Sequence, residues 1–419
     1  MRIPQIAEEE CAAHWRVWRQ LDTIPKRTGH RLRSGFVTRI GLVSTSLYSH
    51  AQAITRLAEV LVRQRHEVTV WAPEPWHEWV HEGGARFERH EPGVVRGKRG
   101  FRLAAELATI TERFAEELIP QVHGHEIELL IRDNQAIWAL VAGEYLGIPR
   151  LVAHPAFPLV APRGGLQGDE DRSSAAEEER AREGFSASWL SIADRWGVEL
   201  KDITGVFHDT SEPTITFTTE EIIGQRELRP GWHCVGPLMS PPPPREEPRT
   251  RQLVYACFGT SYNTRPELFR SVIEALGRQP FDVLISTGDG DVSAEELRPL
   301  PENIEVRDFV SARDVLARAA LHVTHGGCGS VHESLIAGVP MVCLPQAYDQ
   351  FSLSERVELL GAGVVAQGEP AAVRAAVLSL LGDARARGRT AQLAEHLRRY
   401  DGEARLAAIV ERVAGGAES

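Results

Sequence analysis

At 419 residues the chain is longer than one hydrophobic core ordinarily supports, so two or three domains are expected. Apolar residues make up 42% and charged residues 25%, the balance of a globular chain and not of a disordered, collagenous or membrane-spanning one. Lys and Arg number 47 against 58 Asp and Glu, a formal charge of -11 that excludes a broad nucleic-acid or anionic-membrane footprint but not a small anion site.

Residues 1–37 precede the first predicted strand and lack a signal peptide's apolar run. They are compatible with an extra helix, an arm or an over-extended start. From Arg39 the chain alternates. RIGLVSTS reads as a strand, and the helix after it places Ile54, Leu57, Ala58, Leu61 and Val62 on one face. HEVTVWAP is a second strand closed by Pro73, ELLIRDN another, IWALVAGEYLG a helix and PRLVAHP a further strand. The stretch Gly164–Glu183, rich in Gly, Asp, Glu and Ser, breaks this rhythm and is expected to be a mobile surface insertion beside a binding cleft.

Around Gly236–Arg251 the chain reads VGPLMSPPPPREEPRTR, with four consecutive prolines, a semi-rigid linker. Alternation then restarts through QLVYACFGT, DVLISTGDG, NIEVRDFV, LHVTH and VPMVCLPQ. Short buried strands alternating with helices predict a doubly wound parallel sheet in each half. The expected organisation is an extension (1–37), a first α/β domain (38–236), a linker (237–251) and a second α/β domain (252–390). The five cysteines are scattered without a CxxC pair, which disfavours disulfides or a zinc ribbon and fits a reducing cytoplasm.

The most specific segment is HVTHGGCGSVHESLIAGVP, a strand, a turn with Gly326, Gly327 and Gly329, and a helix stopped by Gly338 and Pro340. Glycines admit close approach to the backbone, and free N–H groups at a helix start bind anions. Ser330 and Glu333 have capping-box spacing, which would begin the helix there. A tight turn before a capped helix explains these residues equally well, except that such a turn needs no His325.

With His325, the glycines, Ser330, Glu333, Gly338-Val339-Pro340 and Asp349-Gln350 in order over some 26 positions, the chain resembles the nucleotide-sugar-dependent glycosyltransferases of GT-B fold, in their bacterial antibiotic and macrolide branch. The resemblance implies two Rossmann-like domains facing a central cleft, with terminal helices (391–419) packing back on the first domain. It implies that His325, Gly326, Gly327, Gly329 and Ser330 surround the donor diphosphate, that Glu333 reaches the ribose, and that Asp349 and Gln350 meet the transferred sugar. Gly259, Thr260 and Ser261 in YACFGTS match a segment that also faces the diphosphate. Phe309 stands at the family's base-stacking tryptophan, with Ser311 and Ala312 departing from its Pro and Gln; a core anchor is the competing role.

In the first half, Ser49 and Gln52 again have capping-box spacing, which makes His50 the first helical residue. A helix dipole there disfavours imidazolium and leaves the neutral ring a general base needs. On the residues alone, a solvated histidine is the commoner reading. The resemblance implies that His50 is the catalytic base, with Ser49 and Ala53 in place of the family's Gly and Pro. It implies that Asp133, ending LLIRDN, is the carboxylate that orients it. His123 with His125, and His322 with His332, lack the carboxylates of a metal set. His154 could line an acceptor cleft or be structural, and Trp76, Trp79 and Trp138 are expected to fill cores.

The resulting expectation is an inverting, metal-independent transfer of a sugar from a UDP- or dTDP-sugar to a hydroxyl of a small secondary metabolite, without cofactor. Partners would be donor and acceptor, not nucleic acid or membrane; a homodimer is compatible. The alternatives are a nonhydrolysing sugar-nucleotide epimerase and a non-catalytic nucleotide-sugar binding protein.

Overall fold

The computed structural model describes residues 37–93, 100–157, 175–198, 212–224, 228–244, 251–259, 265–288, 292–347 and 349–415. Residues 1–36, 164–174 and 245–250 therefore lie outside the described residues, as do Thr260 and Ser261.

Two parallel sheets organise the chain. The first has seven strands: β1 (Arg39–Val43), β2 (Glu67–Ala72), β3 (Arg86–Arg89), β4 (Leu129–Asp133), β5 (Arg150–His154), β6 (Thr214–Thr216) and β7 (Trp232–Cys234), in the order β3-β2-β1-β4-β5-β6-β7. The second has six: β8 (Leu253–Cys257), β9 (Asp282–Ser286), β10 (Ile304–Arg307), β11 (Leu321–Thr324), β12 (Met341–Cys343) and β13 (Gly363–Val365), in the order β10-β9-β8-β11-β12-β13. Strands β1, β4, β8 and β11 are buried along almost their whole length because both faces are covered by helices. Register places Val43 beside Arg132 and Thr324 between Cys257 and Cys343, so the functional segments leave neighbouring strands at one level. Each order reverses once, between β1 and β4 and between β8 and β11. Ligands of open α/β sheets bind at such reversals, outside the carboxyl ends of the strands.

The first sheet is sandwiched between two cores. One holds Trp71, Trp138, Phe185 and Trp189 under helices Gly100–Gly124, Ile137–Leu146 and Ala175–Trp196. Residues 175–183 open the last of these helices, and most of their described side chains are exposed, so this part of the stretch expected as a surface insertion is helical. The other joins helix Tyr48–Arg63 to Leu406, Ile409 and Val410 of the last helix, Gly402–Ala414. Helix Ala384–Arg399 lies along the seam, its Leu393 and Leu397 sharing a core with Val331 and Leu335 of the second domain and with Ile222 and Ile223 of the first, and the chain crosses to the first domain at Tyr400–Asp401.

The crossing is a dense polar joint. Tyr400 donates to Glu220 Oε2 (2.9 Å) and to the Cys234 carbonyl (3.0 Å), and Arg405 to Glu220 Oε1 (2.6 Å). From the second domain, Arg356 donates to the carbonyls of Ile222 (2.6 Å) and Glu221 (2.9 Å). No helix among the described residues is long and apolar enough to cross a membrane.

Candidate functional site

His50 and Asp133 meet at the first sheet's reversal point. Asp133 closes β4 and is 0% exposed. Its Oδ1 accepts from the Gln135 amide (2.8 Å) and its Oδ2 accepts from His50 Nδ1 (2.8 Å). Because the carboxylate only accepts, Nδ1 carries the proton and Nε2 keeps the basic lone pair. The helix that carries His50 starts at Tyr48 behind Leu47, with no side-chain cap, so His50 is its third residue and Ser49 caps nothing.

That corrects the expected electrostatics. Burial alone would lower the His50 pKa; the charge and hydrogen bond of Asp133, joined by the charge of Asp349, more than offset it and raise the pKa. A dipole effect of about 1 kcal/mol or less at a helix start yields to a carboxylate at contact distance.

The preceding residue braces this strand end. Arg132 is 1% exposed; its Nη1 donates to the Asn134 carbonyl (3.1 Å), and its Nε and Nη2 donate to Glu212 Oε2 (3.0 and 2.7 Å). Arg150 donates to the other Glu212 oxygen. Burial would raise the Glu212 pKa, and the two guanidinium groups outweigh it. Replacing Arg132 by Met would leave a buried carboxylate half compensated. We expect a loss of about 3–5 kcal/mol in urea unfolding, and an unchanged midpoint would refute the brace.

The donor-type motif occupies the second reversal point. β11 ends at Thr324, and helix Cys328–Ala337 begins behind Gly327, again without a side-chain cap. Ser330 therefore lies inside the first turn and does not cap it, contrary to the capping-box expectation, and the N–H groups of that turn stay available. A side chain on Gly329 would meet nothing within 4 Å, so the helix start borders open space.

His325 stands edge-on between two backbones. A Cβ on Gly327 would come 2.3 Å from its Nε2, and one on Gly259 2.8 Å from its Cε1. Gly326 has φ +78°, where a Cβ would strike Ser354 Oγ. Gly259, Gly326 and Gly327 thus lie against protein atoms, whereas Gly329 borders open space. Burial pushes the His325 pKa down to about 4, with the Cys257 backbone offsetting part of the shift. Its Nδ1 has no hydrogen-bond partner among the described residues. A neutral imidazole can serve an anion as a hydrogen-bond donor, not as a fixed cation.

The other candidates divide. Glu333 is half-buried; burial raises its pKa, and the charge of Arg56 opposes the rise. Arg56 comes from the His50 helix and faces the motif from the opposite domain; no spacing rule singled it out. Asp349 also bridges the domains: its Oδ2 accepts from the Phe157 amide (3.1 Å). Burial raises the Asp349 pKa against that bond and the charge of His50. Gln350 is 3% exposed, and its Oε1 accepts from the Gln346 and Ala347 amides (2.8 and 3.0 Å). Through Oε1 it braces its own loop.

Phe309 is 58% exposed, so it is no core anchor, and Ser311 caps the short helix Ala312–Leu316. His154 is tied to the Ala156 carbonyl and packed on Trp232, the structural role. Trp79 is 44% exposed, contrary to a core role, whereas Trp76 and Trp138 are buried.

Two more histidines flank the motif. His322 Nδ1 donates to Ser334 Oγ (2.7 Å), and burial takes its pKa to about 3, His325 adding to the shift. His332 donates from Nδ1 to the Cys328 carbonyl (2.7 Å) and accepts at Nε2 from Thr218 of the first domain (2.9 Å); burial takes it to about 4. Unfolded, these histidines would bind protons near pH 6.5; folded, they bind them only near 3 to 4. Their contribution is therefore complete above pH 6.5 and lost as pH falls toward 4, whereas that of His50, with its raised pKa, is lost as pH rises. Melting temperature should fall steadily from pH 7 to 4.5, and a flat profile would speak against buried neutral histidines.

Comparisons with known proteins agree with this architecture. Residues 270–403 match the family model described as erythromycin biosynthesis protein CIII-like, C-terminal domain. The demethyllactenocin mycarosyltransferase of Streptomyces fradiae is 37% identical over 164 residues, 38% of this chain and 35% of that protein. The NDP-glycosyltransferase YjiC of Bacillus subtilis (strain 168) is 25% identical over 394 residues, 89% of this chain and 96% of that protein. Among solved structures, the glycotransferase of kitacinnamycin superposes with a TM-score of 0.76 at 22% identity, covering 90% of this chain and 99% of that one.

Proposed function

We propose that this chain is a GT-B-fold glycosyltransferase of the antibiotic and macrolide branch and moves a sugar from a nucleoside-diphosphate sugar to a hydroxyl of a small-molecule acceptor in one inverting displacement. The observation that carries the reading is the 2.8 Å His50–Asp133 hydrogen bond at one sheet's reversal point, opposite a helix start at the other's.

His50 Nε2 takes the proton of the acceptor hydroxyl as its oxygen attacks the anomeric carbon. Asp133 holds the ring and stabilises the imidazolium that forms. The leaving diphosphate receives hydrogen bonds from His325 and from the free amides at Cys328–Ser330. No metal ion enters this mechanism, because those donors take up the developing charge. Glu333 and Asp349 face the ribose and the transferred sugar, and Phe309 offers an exposed ring to the base.

Calorimetric titration with UDP and dTDP, followed by mass spectrometry of reactions with the corresponding sugars and hydroxylated acceptors, tests the reading. Nucleotide binding with an acceptor-dependent mass gain is expected. Conversion of the donor without acceptor would favour an epimerase, and binding without any product a non-catalytic binding protein.

A further inference from the structure

His332 is 1% exposed, and no step of the transfer described above uses it. It lies on helix Cys328–Ala337, whose free first-turn amides face the diphosphate in that reading. Its ring makes one bond at each end. Nδ1 donates to the Cys328 carbonyl (2.7 Å) at the first residue of the helix, and Nε2 accepts from Thr218 Oγ1 (2.9 Å). A carbonyl only accepts, so Nδ1 carries the proton and Nε2 presents its lone pair to the hydroxyl. Both capacities of a neutral imidazole are used, and burial keeps the ring neutral.

Thr218 belongs to the first domain and is itself 1% exposed. It follows β6 by two residues, and its carbonyl accepts from the Gly236 amide (2.9 Å) just past β7. Strand register continues the path to the reaction centre. Ile215 of β6 lies beside Ala153 of β5, and Ala153 beside Asp133, whose carboxylate holds His50. The His332–Thr218 bond thus joins the donor-facing helix to the sheet that mounts the base. Neighbouring interdomain bonds start on later helices: Arg356 donates to the Ile222 and Glu221 carbonyls, and His396 meets Thr219 Oγ1 (3.2 Å). Those are part-buried or exposed, whereas the His332–Thr218 bond is enclosed. An enclosed bond is not exchanged for one to water, so it holds its geometry more firmly.

We propose that His332 is a positioning residue: through Thr218 it sets the register of the donor-facing helix against the sheet that carries His50 and Asp133. The inference rests on the transferase reading. His332, held between the Cys328 carbonyl and Thr218, acts through them and not on a substrate. In a single displacement the attacking oxygen, the anomeric carbon and the leaving oxygen must lie in line. The two ends of that line are held by different domains. A misplacement of about 1 Å between them can cost about 10^2-fold in rate, although each domain still binds its own ligand. Loss of the bond should therefore fall on kcat and spare nucleotide affinity.

The test uses Thr218→Val, His332→Asn, the double variant of these two, and His332→Gln. Asparagine keeps a donor near the Nδ1 position but falls short of Thr218, whereas glutamine reaches as far as Nε2. Calorimetry with UDP and dTDP should show wild-type affinity in Thr218→Val and His332→Asn. Each should lose about 10- to 100-fold in kcat, and the double variant no more than either, because both changes break the same bond. His332→Gln should recover most of the loss. A merely structural role would lower melting temperatures without this split between kcat and affinity and without the rescue. Unchanged kcat in Thr218→Val, multiplied losses in the double variant, an equal loss of nucleotide affinity, or no rescue by glutamine would overturn the assignment. If wild type makes no product from UDP- or dTDP-sugars, the transferase reading falls. The bond is then judged by urea unfolding alone, where a double variant as stable as the weaker single supports it and additive losses overturn it.

Discussion

His50→Ala should retain nucleoside diphosphate binding and lose about 10^3-fold in kcat, because removing a positioned base forfeits about 10^2–10^4 in rate while the donor-side contacts remain. Asp133→Asn should lose a comparable factor, and its pH profile carries the sharper signature. In the wild type, Asp133 and Asp349 hold the His50 pKa above 6.5, so the acid limb of kcat/KM should have its midpoint above that value. With asparagine at 133 the principal raising charge is gone and burial dominates. The limb should then move to lower pH while the plateau falls. A limb that stays in place in Asp133→Asn would show that another group titrates there.

The second large effect is expected at a glycine. Gly327→Ala would set a methyl carbon 2.3 Å from His325 Nε2, a distance real contacts do not reach. A Cβ on Gly259 would meet the same Cε1 and Nε2 atoms, so this end of the ring is already closely packed. The imidazole must leave its slot or the helix start must shift. Either movement removes a hydrogen bond to a charged diphosphate, worth about 1.5–3 kcal/mol, or about 10- to 100-fold in affinity. His325→Ala should show the same loss without the steric conflict. Calorimetry with UDP and dTDP reads both variants, and full affinity in either would remove His325 from the donor site.

The two parallel sheets were legible because strands buried on both faces leave unbroken apolar runs, as in RIGLV and LVYAC, that alternate with amphipathic helices. The pairing of His50 with Asp133, 83 residues apart, was not; only the resemblance joined them. Capping-box spacing misled twice. At Ser49-x-x-Gln52 and Ser330-x-x-Glu333 the helix had already begun, behind Leu47 and Gly327, and a serine with helical backbone cannot cap. In both places the first-turn amides at the cleft are left without a side-chain cap.

Interdomain residues were the least legible. Arg56 facing Glu333, Asp349 holding the Phe157 amide and Thr218 donating to His332 depend on how the domains meet, which no local periodicity encodes. The loop contacts of Gln350 were illegible for a related reason: a short polar loop satisfies its amides with a nearby side chain in a way no periodicity marks.

The most direct measurement of the central claim is the anomeric configuration of the product, read by NMR from a reaction with an α-configured nucleoside-diphosphate sugar. One displacement driven by His50 predicts a β-linked product, formed at a rate that collapses in His50→Ala. An α-linked product, or a β-linked product made at an undiminished rate by His50→Ala, would contradict the account.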